Sequence, residues 1–224
     1  MKRSTINANL TWAAALLREY RFSLPAFAWW SAEEWMANRE ALDVVRAVRL
    51  GWEVKDFSEE LGATLFTLRN GRHDDPSVGV RYCEKVILFR DGKRLPLHYH
   101  RQKTEDVINR AAGVMQLRLY NTTPSGELDR ESEVHVRQDG ILRRYQPGES
   151  VFIAPGNSIT LTPGLAHTFG PAPGSSLIVG EVSTVNDDLT DNIRFETVPA
   201  PTPIEEDEPL LWPLCTEYDR LFTE

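Results

Sequence analysis

Hydrophobic and polar positions change their spacing once along the chain, near residue 60. Before that point, residues 5–20 place apolar side chains at Ile6, Leu10 and Leu17, which is the spacing of one face of a helix. The pattern therefore predicts a first helix over this segment.

Two more helices are predicted before residue 60. Ser31 followed by Glu34 forms a capping box, which satisfies free amides at a helix start, and a helix of about ten residues is expected to follow. The segment "ALDVVRAVR" predicts a third helix that ends before Gly51. The helices carry a cluster of tryptophans, for which we expect core packing of a helical arm against a sheet, with a dimer contact as the alternative: Trp29, Trp30 and Trp35.

Beyond residue 60 the chain shows short strands separated by turn signals. Asx-Gly pairs occur at Asn70-Gly71, Asp91-Gly92 and Asp139-Gly140, and such pairs supply the positive φ angles that tight hairpin turns require. Three Pro-Gly pairs follow between residues 147 and 164. Repeated hairpins without intervening helices indicate an all-β core, an antiparallel sandwich or barrel, rather than a parallel α/β sheet.

The domain organisation follows from these patterns. Residues 1–58 are predicted to form an N-terminal helical arm packed on the barrel, and residues 59–224 the barrel with a C-terminal arm, as a single structural unit. The arm contains the Pro-rich segment "VPAPTPIEEDEP", which is typical of an extended chain that either wraps the barrel or lies free in solvent.

Composition and charge exclude several classes of partner. Hydrophobic residues make up 41% of the chain, enough for a sizeable core, so a disordered protein is excluded. The formal net charge is −8, which disfavours a nucleic-acid partner because neutralising phosphates requires clustered Lys and Arg. No apolar run approaches the ~20 residues that a membrane-spanning helix needs.

A cytoplasmic location is expected from the N-terminus and the cysteines. The first twenty residues contain no continuous apolar stretch and no small-residue cleavage site, so no secretory signal is predicted. Cys83 and Cys215 cannot form a disulfide framework and do not lie in a Cys-x-x-Cys pair. Reduced thiols in the cytoplasm are the simplest interpretation.

Two histidines one residue apart are the first candidate for chemistry. In the stretch "PLHYHRQKTED", His98 and His100 point to the same face of a strand because side chains alternate between faces. Glu105 follows after a short turn. Histidines at this spacing are often surface or hydrogen-bonded residues, but an interior holding two imidazoles and a carboxylate requires an ion or hydrogen bonds.

The surroundings favour a metal site. Gly92, His98-x-His100 and Glu105 together resemble the first motif of the cupin superfamily, and "PGLAH" resembles its second motif, which delivers His167. The resemblance implies a cupin double-stranded β-helix, or jelly-roll barrel. Imidazole nitrogens and a carboxylate suit Mn²⁺, Fe²⁺, Co²⁺, Ni²⁺ or Zn²⁺. The two other histidines, His73 and His135, are predicted to be ordinary surface residues.

A narrower resemblance covers almost the whole chain. The chain resembles the D-lyxose isomerase family in the following segments: "ATLFTLRNG", "YCEKVILFRDGKRLPLHYHRQKTEDVINR", "PGESVFIAPG", "PGLAHTF", "GEVSTVNDDLTDN" and "EDEPLLWPLCTEY". It departs from that family by carrying Ala111 and Ala112 after "INR", where glycines are expected, and this change is predicted to alter a turn near the site.

The family resemblance implies an activity and a set of ligands. It implies a cytoplasmic homodimer that interconverts D-lyxose with D-xylulose, and D-mannose with D-fructose, through an enediol. It also implies a divalent metal, commonly Mn²⁺, and a small-molecule sugar as the substrate. The metal ligands that it implies are His98, His100, Glu105 and His167.

The group that transfers the proton is left open by the sequence. Lys85 lies on the strand before the His-x-His strand, where it either faces the site or is exposed, and Glu181 lies in the apolar stretch "LIVGEVS". Glu206 and Glu208 belong to an acidic run that is either simply solvated or closes over the barrel mouth as the base. Glu105 completes the candidates for catalysis.

Two other functions use the same ligands. Three histidines and a glutamate also serve Fe²⁺-dependent cupin dioxygenases, which would consume oxygen with their substrate. A non-catalytic sugar-binding cupin would bind a sugar without forming product. The family-wide resemblance favours the isomerase over both.

Overall fold

The computed structural model describes residues 1–187, 190–200 and 202–222, and the helices lie mainly at the N-terminus. The α-helices are α1 (Arg3–Glu19), α2 (Ala32–Ala37), α3 (Asp43–Ala47) and α4 (Tyr218–Leu221), with short 3₁₀ turns at Ala26–Trp29 and Arg39–Ala41. Among the described residues, no helix is both long enough and apolar enough to cross a membrane.

The predicted capping box forms at the start of α2. The Glu34 amide donates to Ser31 Oγ at 3.3 Å, and the Ser31 amide donates to the Glu34 carboxylate at 2.8 Å. The helix is shorter than the ten residues expected. It ends at Asn38, which has φ −104° and ψ 8° and whose Nδ2 also donates to the Glu34 carbonyl at 2.8 Å.

Strands make up most of the remaining chain. They are β1 (Gly51–Asp56), β2 (Gly62–Gly71), β3 (Gly79–Phe89), β4 (His98–His100), β5 (Glu105–Ala111), β6 (Met115–Thr122), β7 (Leu128–Asp129), β8 (Val134–Gln138), β9 (Ile141–Tyr145), β10 (Ser150–Ile153), β11 (Ser158–Leu161), β12 (Ala166–Pro171), β13 (Leu177–Thr184) and β14 (Asn192–Arg194). Every pairing of these strands in the described chain is antiparallel, as the turn pattern predicted.

The strands form two sheets. In the described residues the larger sheet has the order β1-β2-β3-β13-β5-β11-β8-β9, and the smaller has the order β10-β6-β12-β4-β14, with β7 beside β6. β1 and β14 are therefore edge strands, one of each sheet. The His-x-His strand β4 lies between β12 and β14 in the smaller sheet.

Alternation along the strands separates two apolar cores. On β3, Ile87 and Phe89 face the space between the sheets, where they join residues of the smaller sheet such as Leu117. Val86 and Leu88 point to the outer face and belong to a second core. Helix α1 covers this outer face with its apolar row, which consists of Ile6, Leu10, Ala13 and Leu17.

Some predicted turns form where expected and one does not. Asp139 and Gly140 adopt φ of 50° and 78° in the β8–β9 hairpin, and the three Pro-Gly pairs form turns. Asn70-Gly71 does not turn the chain, because both residues lie within β2. A Cβ on Gly71 would lie 1.8 Å from the Val80 carbonyl, so this glycine permits close approach of two strands.

The Asp91-Gly92 pair also turns the chain, with φ of 76° at Gly92, but it does not create a hairpin. The strand that follows, β4, pairs with β12 and β14 rather than with β3. The histidines therefore lie in the smaller sheet, although β3, the strand that precedes them, lies in the larger one.

The C-terminal arm wraps back onto the N-terminal helix. The Arg3 amide donates to the Glu205 carbonyl at 2.8 Å. The arm also adds apolar residues to the outer core, including Trp212 and Leu214. Pro201 of the Pro-rich segment lies outside the described residues.

The tryptophans of the N-terminal helices pack within the chain. Trp35 is buried and stacks on Tyr218 with ring centroids 4.7 Å apart, while Trp29 contacts Trp212 at 5.0 Å. Core packing therefore accounts for Trp35. β1 lies within residues 1–58 but pairs with β2 of the following segment, so part of the predicted arm belongs to the larger sheet. The division of the chain at residue 58 stays a prediction.

Candidate active site

The candidate site lies on the interior face of five strands. On each strand, alternation places a polar side chain in the same inward row as a residue of the barrel core. Lys85 follows this rule with Ile87, and Glu181 follows it with Val179. The inward polar side chains are His98, His100, Glu105, His167, Lys85 and Glu181, and all of them are buried.

The three predicted histidines converge. The ligating nitrogens of His98, His100 and His167 all lie within 4.8 Å of one another, and register explains why. His167 on β12 is the cross-strand partner of His98 on β4, so their imidazoles share a face of the smaller sheet.

Backbone carbonyls orient two of the imidazoles. His98 Nδ1 lies 2.8 Å from the Pro96 carbonyl, and His167 Nδ1 lies 2.9 Å from the Leu165 carbonyl. A carbonyl only accepts hydrogen bonds, so Nδ1 carries the proton, and in a neutral ring Nε2 keeps its lone pair. This is the orientation in which histidine binds metal ions in proteins.

Burial keeps the imidazoles of His98 and His100 neutral. Burial, together with the neighbouring His167 and His100, lowers the pKa of His98 well below its ordinary value. Burial also lowers the pKa of His100. Neutral imidazole is the form that donates a lone pair to a metal.

Glu105 approaches two of the histidines. Its Oε1 lies 3.1 Å from His167 Nε2 and 3.4 Å from His100 Nε2. Burial raises the pKa of the Glu105 carboxyl, but the Lys103 ammonium and the neighbouring imidazoles of His100 and His167 together outweigh this and hold the pKa well below its usual range. The carboxylate is therefore ionised and acts as an acceptor.

These donors fit a divalent cation. His167 Nε2 and both ring nitrogens of His100 are buried without a hydrogen-bond partner, although carboxylate oxygens lie nearby. Two acceptor atoms that face each other across 3.1 Å require a proton or a cation between them. Three imidazoles and one carboxylate form a donor set of the kind that Mn²⁺, Fe²⁺, Co²⁺, Ni²⁺ and Zn²⁺ accept.

Lys103 joins the two buried carboxylates and was missed by the sequence analysis. Its Nζ lies 2.6 Å from Glu105 Oε2, and it donates to Glu181 Oε1 at 2.9 Å and to Asn186 Oδ1 at 3.2 Å. Lys85 Nζ lies 3.6 Å from the same Glu181 oxygen. The signal for Lys103 was its position two residues before Glu105, since extended residues at that spacing share a face.

Asp191 lies behind His100 and was also missed. Its carboxylate accepts from the Gln102 amide at 2.8 Å and the Lys103 amide at 3.1 Å, and Oδ2 lies 3.5 Å from His100 Nδ1. No local pattern marks Asp191, because it reaches His100 only through the pairing of β14 with β4.

A cavity opens from these side chains. It encloses about 510 Å³ of empty space, including the part open to solvent, which lies in the range of small-molecule sites. Its walls are apolar at Phe57, Leu95 and Phe169, and polar where the site residues lie. The cavity therefore has the size and the mixed lining that a monosaccharide requires.

Glu206 and Glu208 lie elsewhere in the described structure. Glu206 accepts from Arg3 Nε at 2.8 Å and from Arg220 at 2.7 Å, and Glu208 accepts from Asn7 Nδ2 at 3.1 Å. Neither lines the cavity. The expectation that they close over the barrel mouth is corrected, because the buried guanidinium of Arg3 draws the acidic segment to helix α1.

The remaining sequence candidates have ordinary surroundings. His73 and His135 are exposed, as predicted. Asp187, in the segment "GEVSTVNDDLTDN", accepts from Thr190 Oγ1 at 2.5 Å. Ala112, with φ of 81°, follows the far end of β5, about 20 Å along the strand from Glu105, so the turn it alters is not near the site.

The two cysteines do not belong to the site. Both are buried without a disulfide bond, and neither lines the cavity. Burial raises the pKa of the Cys215 thiol to about 12, so this thiol stays protonated. The donors available for a metal are therefore nitrogen and oxygen.

Comparisons with known proteins identify the family of the chain. The family model described as D-lyxose isomerase matches residues 1–218. A D-lyxose/D-mannose isomerase from Serratia proteamaculans is 37% identical over 226 residues, which cover 98% of this chain and 99% of the relative. One from Escherichia coli O157:H7 is 38% identical over 224 residues, with coverage of 97% and 98%.

Solved structures support the architecture. An L-ribose isomerase from Geodermatophilus obscurus has a TM-score of 0.55 and 19% identity, covering 88% of this chain and 94% of that one. An L-ribose isomerase from Cellulomonas parahominis has a TM-score of 0.54 and 18% identity, with the same coverage. At this identity the likeness shows the fold alone, and it confirms the predicted barrel with its N-terminal helices.

Proposed function

The chain belongs to the D-lyxose isomerase family, and on this premise we propose that it interconverts D-lyxose and D-xylulose, and D-mannose and D-fructose. The protein is a sugar aldose–ketose isomerase. The observation that carries the finer proposal is the convergence of three histidines and Glu105 beside a second buried carboxylate, Glu181, at a cavity of monosaccharide size.

We propose that the site uses a divalent metal, and that Mn²⁺ is the native ion. The residues that would hold the ion are His98, His100, Glu105 and His167. When bound, a divalent cation supplies Lewis-acid stabilisation of negative charge on the sugar oxygens. The ligand set also fits Co²⁺, Fe²⁺, Ni²⁺ and Zn²⁺, so the choice of Mn²⁺ rests on the family resemblance.

Glu181 is the proposed base. Aldose–ketose isomerisation removes the proton on C2 and returns it to C1, which requires a carboxylate or amine within hydrogen-bond reach of both carbons. Glu181 is buried in the cavity wall, where two lysines and a serine hydroxyl contact it, whereas the imidazoles of His100 and His167 approach Glu105. These surroundings support Glu181 as the base and Glu105 as a ligand.

The two buried lysines have complementary proposed roles. Lys85 and Lys103 place ammonium groups 3.6 Å and 2.9 Å from Glu181 Oε1. An ammonium aimed at the oxygens of an enediolate stabilises the charge that develops there, and it can move the hydroxyl proton from O2 to O1.

An aldose screen tests the proposed substrates. Purified protein supplied with Mn²⁺ is incubated with D-lyxose, D-mannose and other aldoses, and the products are identified by chromatography. We expect D-xylulose from D-lyxose and D-fructose from D-mannose. Absence of a ketose product from every aldose would reject the proposal, and oxygen consumption coupled to sugar loss would favour a dioxygenase.

We also propose that the protein is a homodimer. The β9 edge strand exposes Ile141 and Leu142, at 56% and 52% exposure, and an apolar edge strand of this kind favours pairing with a second chain. Sedimentation velocity should give a dimer for the native protein and a smaller species for Ile141→Lys. A monomer at micromolar concentration would contradict the proposal.

We propose a cytoplasmic location as well. Both cysteines are buried without a disulfide bond, which is the usual state in a reducing compartment. Fractionation of cells that express the protein should recover it with cytoplasmic markers, and recovery with an extracellular fraction would contradict this proposal.

A further inference from the structure

The polar lining of the cavity divides into two groups. One group belongs to the reacting cluster and consists of His98, His100, Glu105, Glu181, Lys85 and Lys103. The second group lies outside that cluster and has no role in the proposed reaction: Lys55, Asn192 and Arg194. Apolar side chains form the remaining wall, including Phe57 and Leu95, and these cannot hydrogen-bond a sugar.

Strand register places Arg194 beside the histidines. Arg194 on β14 is the antiparallel partner of His98 on β4, and Asn192 is the partner of His100. Directly opposite residues of an antiparallel pair point to the same face, with Cβ atoms about 5 Å apart. The side chain of Arg194 therefore starts beside His98 on the interior face and extends along the cavity wall.

Lys55 approaches the cavity from the other sheet. β1 alternates between Trp52 and Val54, which face the outer core, and Glu53 and Lys55, which face the interior. Because β1 and β14 are the edge strands of their sheets, the cavity reaches an open edge on both sides. Lys55 Nζ lies 3.6 Å from Glu53 Oε1, so its charge is already balanced by a carboxylate.

Arg194 differs from the other cavity cations in its pairing. Lys85 and Lys103 both contact Glu181, and Lys55 contacts Glu53. For Arg194, the part of the chain that the structure describes offers no carboxylate within 4.0 Å. Its five guanidinium N–H donors are exposed at the cavity wall and can reach a ligand.

Resting on the function proposed above, we propose that Arg194 is a specificity-determining residue that hydrogen-bonds the terminal hydroxyl of the sugar. C1 and C2 must lie at Glu181 and the histidines, so the rest of the carbon chain extends toward the cavity edge. A hydroxyl placed there against Phe57 and Leu95 would lose its hydrogen bonds with water unless a donor or acceptor replaces them. Arg194 supplies that donor.

Two sugars that differ in one oxygen test this proposal. D-Mannose carries a hydroxyl on C6 and 6-deoxy-D-mannose lacks it, and both keep the same C1 to C5. A site that hydrogen-bonds a substrate hydroxyl with a charged donor rejects the deoxy analogue by about ten-fold or more in kcat/KM. We expect that discrimination in the wild-type enzyme, mainly through KM, and its reduction to less than about two-fold in Arg194→Met, where the donor is lost.

Matched variants separate this role from a structural one. Arg39→Met removes an exposed arginine from the 3₁₀ turn at Arg39–Ala41, away from the cavity, and should keep the wild-type discrimination. Arg194→Gln keeps a hydrogen-bond donor and should retain part of it, and this variant carries the test if Arg194→Met fails to fold. Circular dichroism and metal content are measured for each variant.

The outcomes distinguish this proposal from the proposed function. Discrimination that is unchanged in Arg194→Met overturns the role of Arg194, as does an equal loss of kcat/KM for both sugars. A wild-type enzyme that converts both sugars equally well overturns the role while the isomerase function stands. A wild-type enzyme that converts no aldose overturns the proposed function and this proposal with it.

Discussion

Glu105 and Glu181 are two buried carboxylates that share one lysine but have different surroundings. Lys103 contacts both, while His100 and His167 approach only Glu105. Carboxylates placed in different environments are the usual way in which an active site assigns different roles to the same side chain. The geometry therefore supports a ligand at Glu105 and a base at Glu181.

Replacing Glu181 by Gln should remove the proposed base and leave the size of the side chain unchanged. We expect kcat with D-lyxose to fall about a hundred-fold or more, because general base catalysis contributes that much. Metal content should equal that of the wild type. The matched control is Glu208→Gln, which alters an exposed carboxylate on the C-terminal arm and should keep full activity.

Two results would contradict this assignment. One is a Glu181→Gln variant that retains more than about a tenth of wild-type kcat with normal metal content. The other is an equal loss in Glu208→Gln, which would return the base to the acidic arm.

Asp191 is expected to position His100. Its carboxylate is fixed by two backbone amides and faces Nδ1, so it sets which ring nitrogen carries the proton. Loss of such a partner usually lowers metal affinity 10- to 100-fold, and we expect a loss of about that size in Asp191→Asn. Calorimetric titration of metal-free protein with Mn²⁺ measures it.

The control for Asp191 is Asp219→Asn, which changes a fully exposed carboxylate on α4. Activity of Asp191→Asn should recover at high Mn²⁺ concentration, since the catalytic side chains are unchanged. Wild-type affinity in this variant would show that Asp191 does not orient His100.

At the scale of elements, the N-terminus of α1 and the C-terminal arm are held together by an ionic clasp, formed by Arg3, Glu206, Glu217 and Arg220. Arg3 is 0% exposed, and its guanidinium donates to Glu206 and to Glu217. A buried guanidinium without these carboxylates would be strongly destabilising. The acidic arm thus serves to fix α1 on the outer face of the larger sheet.

The clasp predicts a pH dependence of stability. Hydrogen bonds from Arg3 and Arg220 lower the pKa of Glu206 from 4.5 to about 2. A carboxyl whose pKa is lower in the folded state contributes stability above its unfolded pKa and loses it as the pH falls through the folded pKa. Glu206 should therefore stabilise the protein above about pH 4.5, with loss of that contribution between pH 4.5 and 2.

The variant Glu206→Gln isolates this contribution. Denaturant unfolding of both proteins between pH 7 and pH 2 should show the wild type more stable at neutral pH, with the difference shrinking toward pH 2. Catalysis at neutral pH should be retained, because Glu206 does not line the cavity. A difference in unfolding free energy that is constant across this range would contradict the clasp.

Elements also explain which residues the sequence could reveal. His98 and His100 share a face through strand alternation, which is local, and Lys103 and Glu105 obey the same rule. Arg194 belongs to the three-residue strand β14, and Asp191 directly precedes that strand. A strand this short shows no pattern, and both residues reach the site only through the pairing of β14 with β4. No local signal predicts that pairing.

At the scale of the whole molecule, the errors of sequence interpretation have a common cause. The sequence left Glu206 either solvated or at the barrel mouth, because its partner Arg3 is 203 residues away in the sequence. Gly71 was assigned to a turn because the strand that passes against it begins only at Gly79. The barrel, its helices and the converging histidines were predictable because they follow from periodicity and from segments shared with a known family.

The two apolar cores have different roles in the molecule as a whole. The outer core, covered by α1 and the C-terminal arm, supports the larger sheet from outside. The inner core fills the barrel and stops where the polar cluster begins. Strands that are paired along their length hold the polar side chains in place, so the site is preorganised by the barrel.

Metal binding measured together with turnover tests the central claim most directly. Wild-type protein and His100→Ala are stripped with a chelator and titrated with Mn²⁺, while bound metal and conversion of D-lyxose are followed in the same samples. We expect stoichiometric binding and return of activity in the wild type, and weak binding without activity in a folded His100→Ala. A stripped enzyme that remains fully active, or a His100→Ala variant that binds Mn²⁺ and turns over like the wild type, would contradict the claim.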